Sequence, residues 1–265
     1  GAASGLLPGR LRLQDPESRR VWERAWGVRL SPDPGLNSNR LVEEMEKGNL
    51  KALYVMGENP VRNRPLPERT RAALGNLELL VVQDILETET AGLAHVVLPG
   101  AAFSEKSGAF TNLEGRIQGF EAAMDPPGEA RPDWRILADV YDGLAPSPGR
   151  YASLKDVQKE IRDHVPGYGV LPVGAGWNGA PRYRSLSSSA REENRPAFRM
   201  SPSRSEEWTG REHFPHVAIL CSPRVHVGGG TRTSRSKRLR GFADSADAEM
   251  NPEDCRRMGL KSGDR

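Results

Sequence analysis

The sequence predicts an α/β protein built on a parallel sheet, and three observations carry that prediction. Lys51-Ala-Leu-Tyr-Val-Met56, Glu78-Leu-Leu-Val-Val-Gln83 and His95-Val-Val-Leu98 are short, continuous apolar runs rather than alternating ones. Segments of helical spacing separate them. A turn former or breaker follows each: Gly57 with Pro60, Asp84, and Pro99. Unbroken apolar runs are the mark of strands buried on both faces, as in a parallel sheet covered by crossover helices.

The elements follow in order. Asn37-Ser38-Asn39 supplies N-cap oxygens, Leu41, Val42 and Met45 fall at helical spacing, and Gly48 stands where a C′ glycine ends a helix. The first strand follows at 51–56. Pro67 at a first helical turn opens Glu68–Leu74, which Gly75 closes. After the second strand, Thr88–Leu93 suits one or two helical turns before the third. Phe110–Phe120 is too polar for core. Pro132-Asp133-Trp134 opens a helix through Tyr141, and Ser153-Leu-Lys-Asp156 is a capping-box start for another through about His164. Residues 171–212 shift to Gly, Pro, Ser and Arg and read as a long loop or linker. His216–Cys221 resumes strand character, and Asn251-Pro252-Glu253-Asp254 starts a short helix. The organisation expected is an α/β domain over 1–170, a linker over 171–212 and a second domain over 213–265.

Composition narrows the classes. The chain has 265 residues, 38 Lys+Arg against 35 Asp+Glu, and two cysteines. No run nears the roughly 18 apolar residues of a membrane span. Two cysteines are too few for a disulfide framework, or for an iron–sulfur cluster, which takes about four thiolates. A net charge of +3 does not by itself imply nucleic acid. Opening at Gly1 without Met and closing on the turn Lys261–Arg265, the chain reads as a piece of a longer protein.

Ligands of parallel sheets bind beyond the carboxyl ends of the strands, which points to the loops starting at Gly57, Asp84 and Pro99. Gly57 admits a close backbone approach, and Glu58 and Asn59 accept from ribose hydroxyls or a base edge; the same residues suit a plain turn before a helix. Gln83 and Asp84 end the next strand. A carboxylate there binds a ribose diol or takes both N1–H and N2–H of guanine, or else caps the turn. Within Glu105–Arg116, the residues Asn112, Glu114 and Arg116 suit one cleft or an ordinary charged hairpin. Pro223–Ser236 carries three glycines, Thr231 and the arginines Arg232 and Arg235, which fits an anion nest around phosphate or a flexible basic loop. Arg232–Arg240 lacks the interleaved aromatics of a nucleic-acid surface, so no nucleic acid is expected. The histidines show no metal spacing, and no nucleophile–base arrangement or other self-contained catalytic centre is visible.

At these residues the sequence resembles the molybdopterin oxidoreductase superfamily, in particular large subunits of formate dehydrogenases and the large iron–sulfur subunit of NADH–quinone oxidoreductase. The matching words are Lys51–Pro60, Leu80-Val-Val-Gln-Asp84, Thr88-Glu-Thr-Ala91, Val96-Val-Leu-Pro99, Phe110-Thr-Asn-Leu-Glu-Gly-Arg-Ile-Gln118, Pro126–Trp134 and Asn251–Asp254 with Gly259–Asp264. The resemblance implies a Rossmann-like dinucleotide-binding domain, followed from residue 213 by the start of a mostly-β, barrel-like domain. It implies molybdopterin guanine dinucleotide as cofactor. Gly57, Glu58, Asn59, Gln83, Asp84, Thr88, Asn112 and Arg116 are then the cofactor-facing positions, with Gly230, Thr231 and Arg235 on the closing loop. It further implies iron–sulfur clusters on upstream polypeptide and other subunits of a redox complex as partners. The location implied is cytoplasmic, at the inner face of a membrane only through those partners. A vestigial pterin site in a structural electron-transfer subunit is the alternative it carries. Two departures stand out: Ala94-His95 where such families often have Ala-Asp, and Gly228 where the closing loop often has His.

Overall fold

The computed structural model describes residues 5–33, 35–64, 66–112, 117–144, 149–165, 168–169, 229–242 and 250–264. The chain forms two compact units, Gly1–Trp208 and Thr209–Arg265.

The first unit opens with two short antiparallel strands, β1 (Leu6–Leu7) and β2 (Leu11–Arg12). Helix α1 (Pro16–Trp26) follows. It is not among the elements predicted above, yet its signals are in the sequence. Asp15 caps it by accepting from the backbone of Ser18 at 2.9 Å, Pro16 takes the first turn, and Gly27 ends it at φ +69°. Its Trp22 is buried with Leu7 and Val165 in a small core of its own.

Helix α2 (Ser38–Glu46) starts where Asn37 Oδ1 accepts from the Arg40 amide at 3.0 Å. Then come β3 (Ala52–Met56), the single-turn α3 (Pro60–Asn63), α4 (Pro67–Gly75) and β4 (Leu79–Asp84). A 3-10 turn at Ala91–Leu93 leads into β5 (Val96–Pro99). The strands lie parallel in the order β3-β4-β5. This is the predicted α/β arrangement, with β3 starting one residue later than expected and β4 and β5 displaced by one residue toward their carboxyl ends.

Pairing Leu53 with Leu80 and Val55 with Val82 puts these side chains on one side of the sheet. There they join Val42 and Met45 of α2 and Ala73 and Leu74 of α4 in the main core. The expected cover on both faces is uneven among the described residues: on the other side Met56, Leu79 and Val96 are exposed, while Gln83 is buried beside Asp133. Both connections return across the same side: Val61, Leu74 and Ala91 all belong to that one core. The three-residue turn between β4 and β5 is too short to act as a covering helix.

Strands β6 (Gly108–Thr111) and β7 (Ile117–Phe120) pair as an antiparallel hairpin with Phe110 stacked on Phe120 at 4.7 Å. A Cβ on Gly108 would stand 3.1 Å from the Phe120 ring, so any larger residue there would push the ring aside. Helices α5 (Asp133–Leu144) and α6 (Leu154–His164) follow, the latter begun by the expected box in which Ser153 N–H donates to Asp156 Oδ2 at 2.7 Å.

In the second unit a 3-10 turn at Thr233–Arg235 precedes α7 (Lys237–Arg240), and α8 (Pro252–Met258) begins on Asn251, whose Oδ1 accepts from the Glu253 amide at 2.8 Å. The expected linker over 171–212 and the strand at His216–Cys221 lie outside the described residues.

Candidate functional site

The parallel register brings the three strand ends to one rim. Met56 lies beside Gln83, and Asp84 beside Pro99. Gly57 N–H donates to Gln83 O and Gly100 N–H donates to Asp84 O, both at 2.9 Å, so the loops leave side by side. Gly57 turns away at φ +64°, a conformation that favours glycine. Nothing lies within 4 Å of where its Cβ would be, which leaves the backbone open to a ligand.

Two carboxylates occupy this rim. Glu58 is exposed, with Asn63 Nδ2 3.5 Å from its Oε2. Asp84 is half-buried; its Oδ1 accepts from the amides of Ile85 at 2.7 Å and Leu86 at 3.3 Å. Its Oδ2 takes no hydrogen bond from the described residues. Asp84 is therefore held in place by one oxygen and presents the other, which suits a paired N–H donor or a ribose diol.

Immediately beneath, the polar side chains are turned inward. Asn59, 1% exposed, accepts at Oδ1 from Thr90 Oγ1 at 2.7 Å and donates through Nδ2 to Glu89 Oε2 at 2.6 Å. Arg62 Nη1 stands 3.3 Å from the other Glu89 oxygen. The Asn59 amide first, and then backbone and Arg62 contacts, hold the Glu89 carboxyl below its ordinary range. Gln83, fully buried, accepts from the Tyr54 hydroxyl at 2.5 Å and donates to Asp133 Oδ1 at 2.7 Å. Lys106 pairs with the second Asp133 oxygen. Burial, and secondarily the Asp133 charge, pushes the Tyr54 hydroxyl up. Thr88 Oγ1 accepts from the Ala91 amide at 3.1 Å and caps the 3-10 turn.

Six of the predicted positions thus gather at one sheet edge in two layers. Gly57, Glu58 and Asp84 face outward, while Asn59, Gln83 and Thr88 brace the loops from below. Asn112 is exposed just beyond β6, and Arg116 lies outside the described residues. Gly230, Thr231 and Arg235 belong to the second unit. There Gly230, at φ +73°, accepts at its carbonyl from the Ser234 amide at 2.9 Å. Gly228 and His226 are outside the described residues.

Sequence reasoning missed Tyr54, Thr90, Lys106 and Asp133 as supports of this edge, and Gly100 as its tightest point. A Cβ on Gly100 would lie 3.2 Å from Asp133 Oδ1 and 3.6 Å from Asp84 O. Tyr54 and Asp133 are 29 and 50 residues from Gln83, beyond any spacing rule. At His95, where the resemblance leads one to expect Asp, Nδ1 accepts from the Leu80 amide at 2.9 Å.

Among the described residues, no three His, Cys, Asp or Glu side chains gather as metal ligands, and no helix is long and apolar enough to cross a membrane.

Residues 16–142 match a family model described as molybdopterin oxidoreductase. The F420-dependent formate dehydrogenase subunit alpha of Methanocaldococcus jannaschii is 33% identical over 280 residues, covering 100% of this chain and 41% of that protein. A NADH-quinone oxidoreductase subunit of Rhizobium meliloti is 32% identical over 264 residues, covering 100% of this chain and 30% of that protein. This chain accordingly spans less than half the length of either relative. A solved structure, acetylene hydratase from Pelobacter acetylenicus, overlaps 47% of this chain and 18% of its own at 24% identity and TM-score 0.37, a likeness too slight to argue from.

Proposed function

We propose, from the match of residues 16–142 to the molybdopterin oxidoreductase family model, that this chain supplies the wall that holds the nucleotide end of a molybdopterin guanine dinucleotide. The observation that carries the reading is Asp84: a carboxylate fixed at the carboxyl end of the central parallel strand, with Oδ2 left over, beside an open glycine turn. The residues present fit such a group. Asp84 takes the N–H pair of a guanine edge, Glu58 accepts from ribose hydroxyls, and the Gly57 backbone lets the ligand approach. Asn59, Gln83 and Thr88 brace the loops from beneath through their own hydrogen bonds. Within the second unit, taken by itself, the residue types of Gly230, Thr231 and Arg235 suit a phosphate; in the first, Asn112 and Arg116 are further polar candidates.

When bound, the cofactor supplies the redox centre; this chain contributes binding and orientation. The whole protein is then the large subunit of an oxidoreductase of the formate dehydrogenase or NADH–quinone oxidoreductase kind. Its iron–sulfur clusters lie on polypeptide outside these residues, and other subunits of a redox complex are its partners. It resides in the cytoplasm, reaching the inner face of a membrane through those partners.

A second reading keeps the fold and drops the cofactor: a structural subunit of a respiratory complex with a vestigial site. The internal bonding of Asn59, Gln83 and Thr88 favours it, since these groups need no ligand to be satisfied. Pterin and guanine released from the purified complete polypeptide separate the two. Near-stoichiometric amounts support the first reading, and their absence supports the second.

A further inference from the structure

Under the carboxyl rim, a chain of side-chain bonds runs across the sheet from β3 to the start of α5. Tyr54 of β3 donates its hydroxyl to Gln83 Oε1 at 2.5 Å, and Gln83 of β4 donates through Nε2 to Asp133 Oδ1 at 2.7 Å. Asp133 is set beyond the end of β5, where the Ala101 amide donates to the Arg131 carbonyl at 2.8 Å. Its second oxygen pairs with Lys106, whose side chain is only 18% exposed. An acid in a first helical turn ordinarily serves the free amides of its own helix. Asp133 instead gives its two oxygens to side chains 50 and 27 residues away.

A carboxylate only accepts, so Asp133 fixes which way the Gln83 amide lies: its NH2 group toward Asp133, its oxygen toward Tyr54. The Gln83 carbonyl in turn accepts from the Gly57 amide, and Asp84 is the next residue. In the other direction, Lys106 stands two residues before β6. At its base the β6–β7 hairpin closes on itself, with the Ala122 amide donating to Ser107 Oγ at 3.2 Å and the Ala123 amide to the Ser104 carbonyl at 2.8 Å. Lys106 carries a charged bond from that base to the sheet, and charge-assisted bonds are about twice as strong as neutral ones. One carboxylate thus joins the rim loops to the hairpin.

Resting on the reading that the rim takes the nucleotide end of the cofactor, we propose that Asp133 is a positioning residue for that ligand. It holds the β6–β7 hairpin to the strand ends through Lys106, and the rim keeps its ligand only while this link is closed. In this role Asp133 and Lys106 touch no ligand. They act through Gln83 on Gly57 and Asp84, and through β6 on Asn112. Two substitutions cut the link and spare the bond to Gln83. Lys106→Met keeps the stem and loses the charge. Asp133→Asn keeps an oxygen for Gln83 and turns an NH2 group on the Lys106 ammonium, donor against donor.

The test uses the complete polypeptide and has two readouts. Amide exchange in β6 and β7 is expected to quicken about fivefold or more in Lys106→Met and in Asp133→Asn, as when a partly buried charged bond no longer resists local opening. Strands β3, β4 and β5 exchange as in wild type. The double variant exchanges no faster than either single one, since both cut the same link. Lys106→Arg, which keeps the charge, returns the rates toward wild type. Guanine and pterin retained after prolonged dialysis fall in Lys106→Met and recover in Lys106→Arg. Unchanged hairpin exchange in either single variant overturns the proposal, as does quickening spread over the whole sheet, or Lys106→Arg no slower than Lys106→Met. So does undiminished retention in Lys106→Met when wild type is loaded. A wild type empty of pterin and guanine sinks the reading of the rim itself, and the proposal with it.

Discussion

Glu58 and Asn59 are neighbours in sequence with opposite duties. Glu58 stands in solvent at the rim, whereas Asn59 joins Thr90 to Glu89 beneath it. Asn59→Ala strips partners from a buried hydroxyl and a carboxylate, and costs about 1–3 kcal/mol in denaturant unfolding. Glu58→Gln leaves the unfolding midpoint unchanged. Glu89 gives the network a pH signature. Its folded carboxyl titrates below the ordinary 4.5, so its contribution is fully present above that pH and is lost as the pH falls through the lower folded value. The stability gap between wild type and Glu89→Gln is accordingly widest above pH 4.5 and closes in acid, which a series of denaturant titrations measures. Asn59 and Glu58 look equally suited to a ligand in the sequence, because what divides them is a threonine 31 residues away.

At the scale of elements, a tight junction forms where Gly100, the end of β4 and the first turn of α5 meet. Asp133 there is tied to both Gln83 and Lys106, so it has little freedom to yield to a methyl group. Gly100→Ala is expected to cost about 1–3 kcal/mol as an overpacking change, read as a lowered unfolding midpoint. The parallel strands were legible because each is an apolar run with its own stop signal, and the rim followed from where those runs end. Helix α1 escaped because its apolar residues are few, although Asp15-Pro16 and Gly27 mark both ends. Asp15→Ala should lower amide-exchange protection across α1 first, leaving the β3-β4-β5 sheet unaffected. The inner supports were not legible at all: Tyr54 with Gln83, and Gln83 with Asp133, meet only through the fold.

For the molecule as a whole, the sheet does two jobs with two of its boundaries. Its carboxyl rim presents a fixed carboxylate, and one of its sides carries Leu53, Val55, Leu80 and Val82 into the main core. The resemblance read from the words around 51–60, 80–84 and 110–118 agrees with the match of residues 16–142 to a family model described as molybdopterin oxidoreductase. The expected barrel-like domain is a matter for the second unit, whose residues 229–242 and 250–264 form turns and short helices. Asp84→Asn bears most directly on the central claim. It keeps an oxygen for the Ile85 and Leu86 amides and gives up the anionic acceptor facing outward. In the complete polypeptide, this variant should retain its unfolding midpoint while the pterin and guanine released per polypeptide fall well below wild type. An undiminished yield from Asp84→Asn, with wild type fully loaded, would contradict the account.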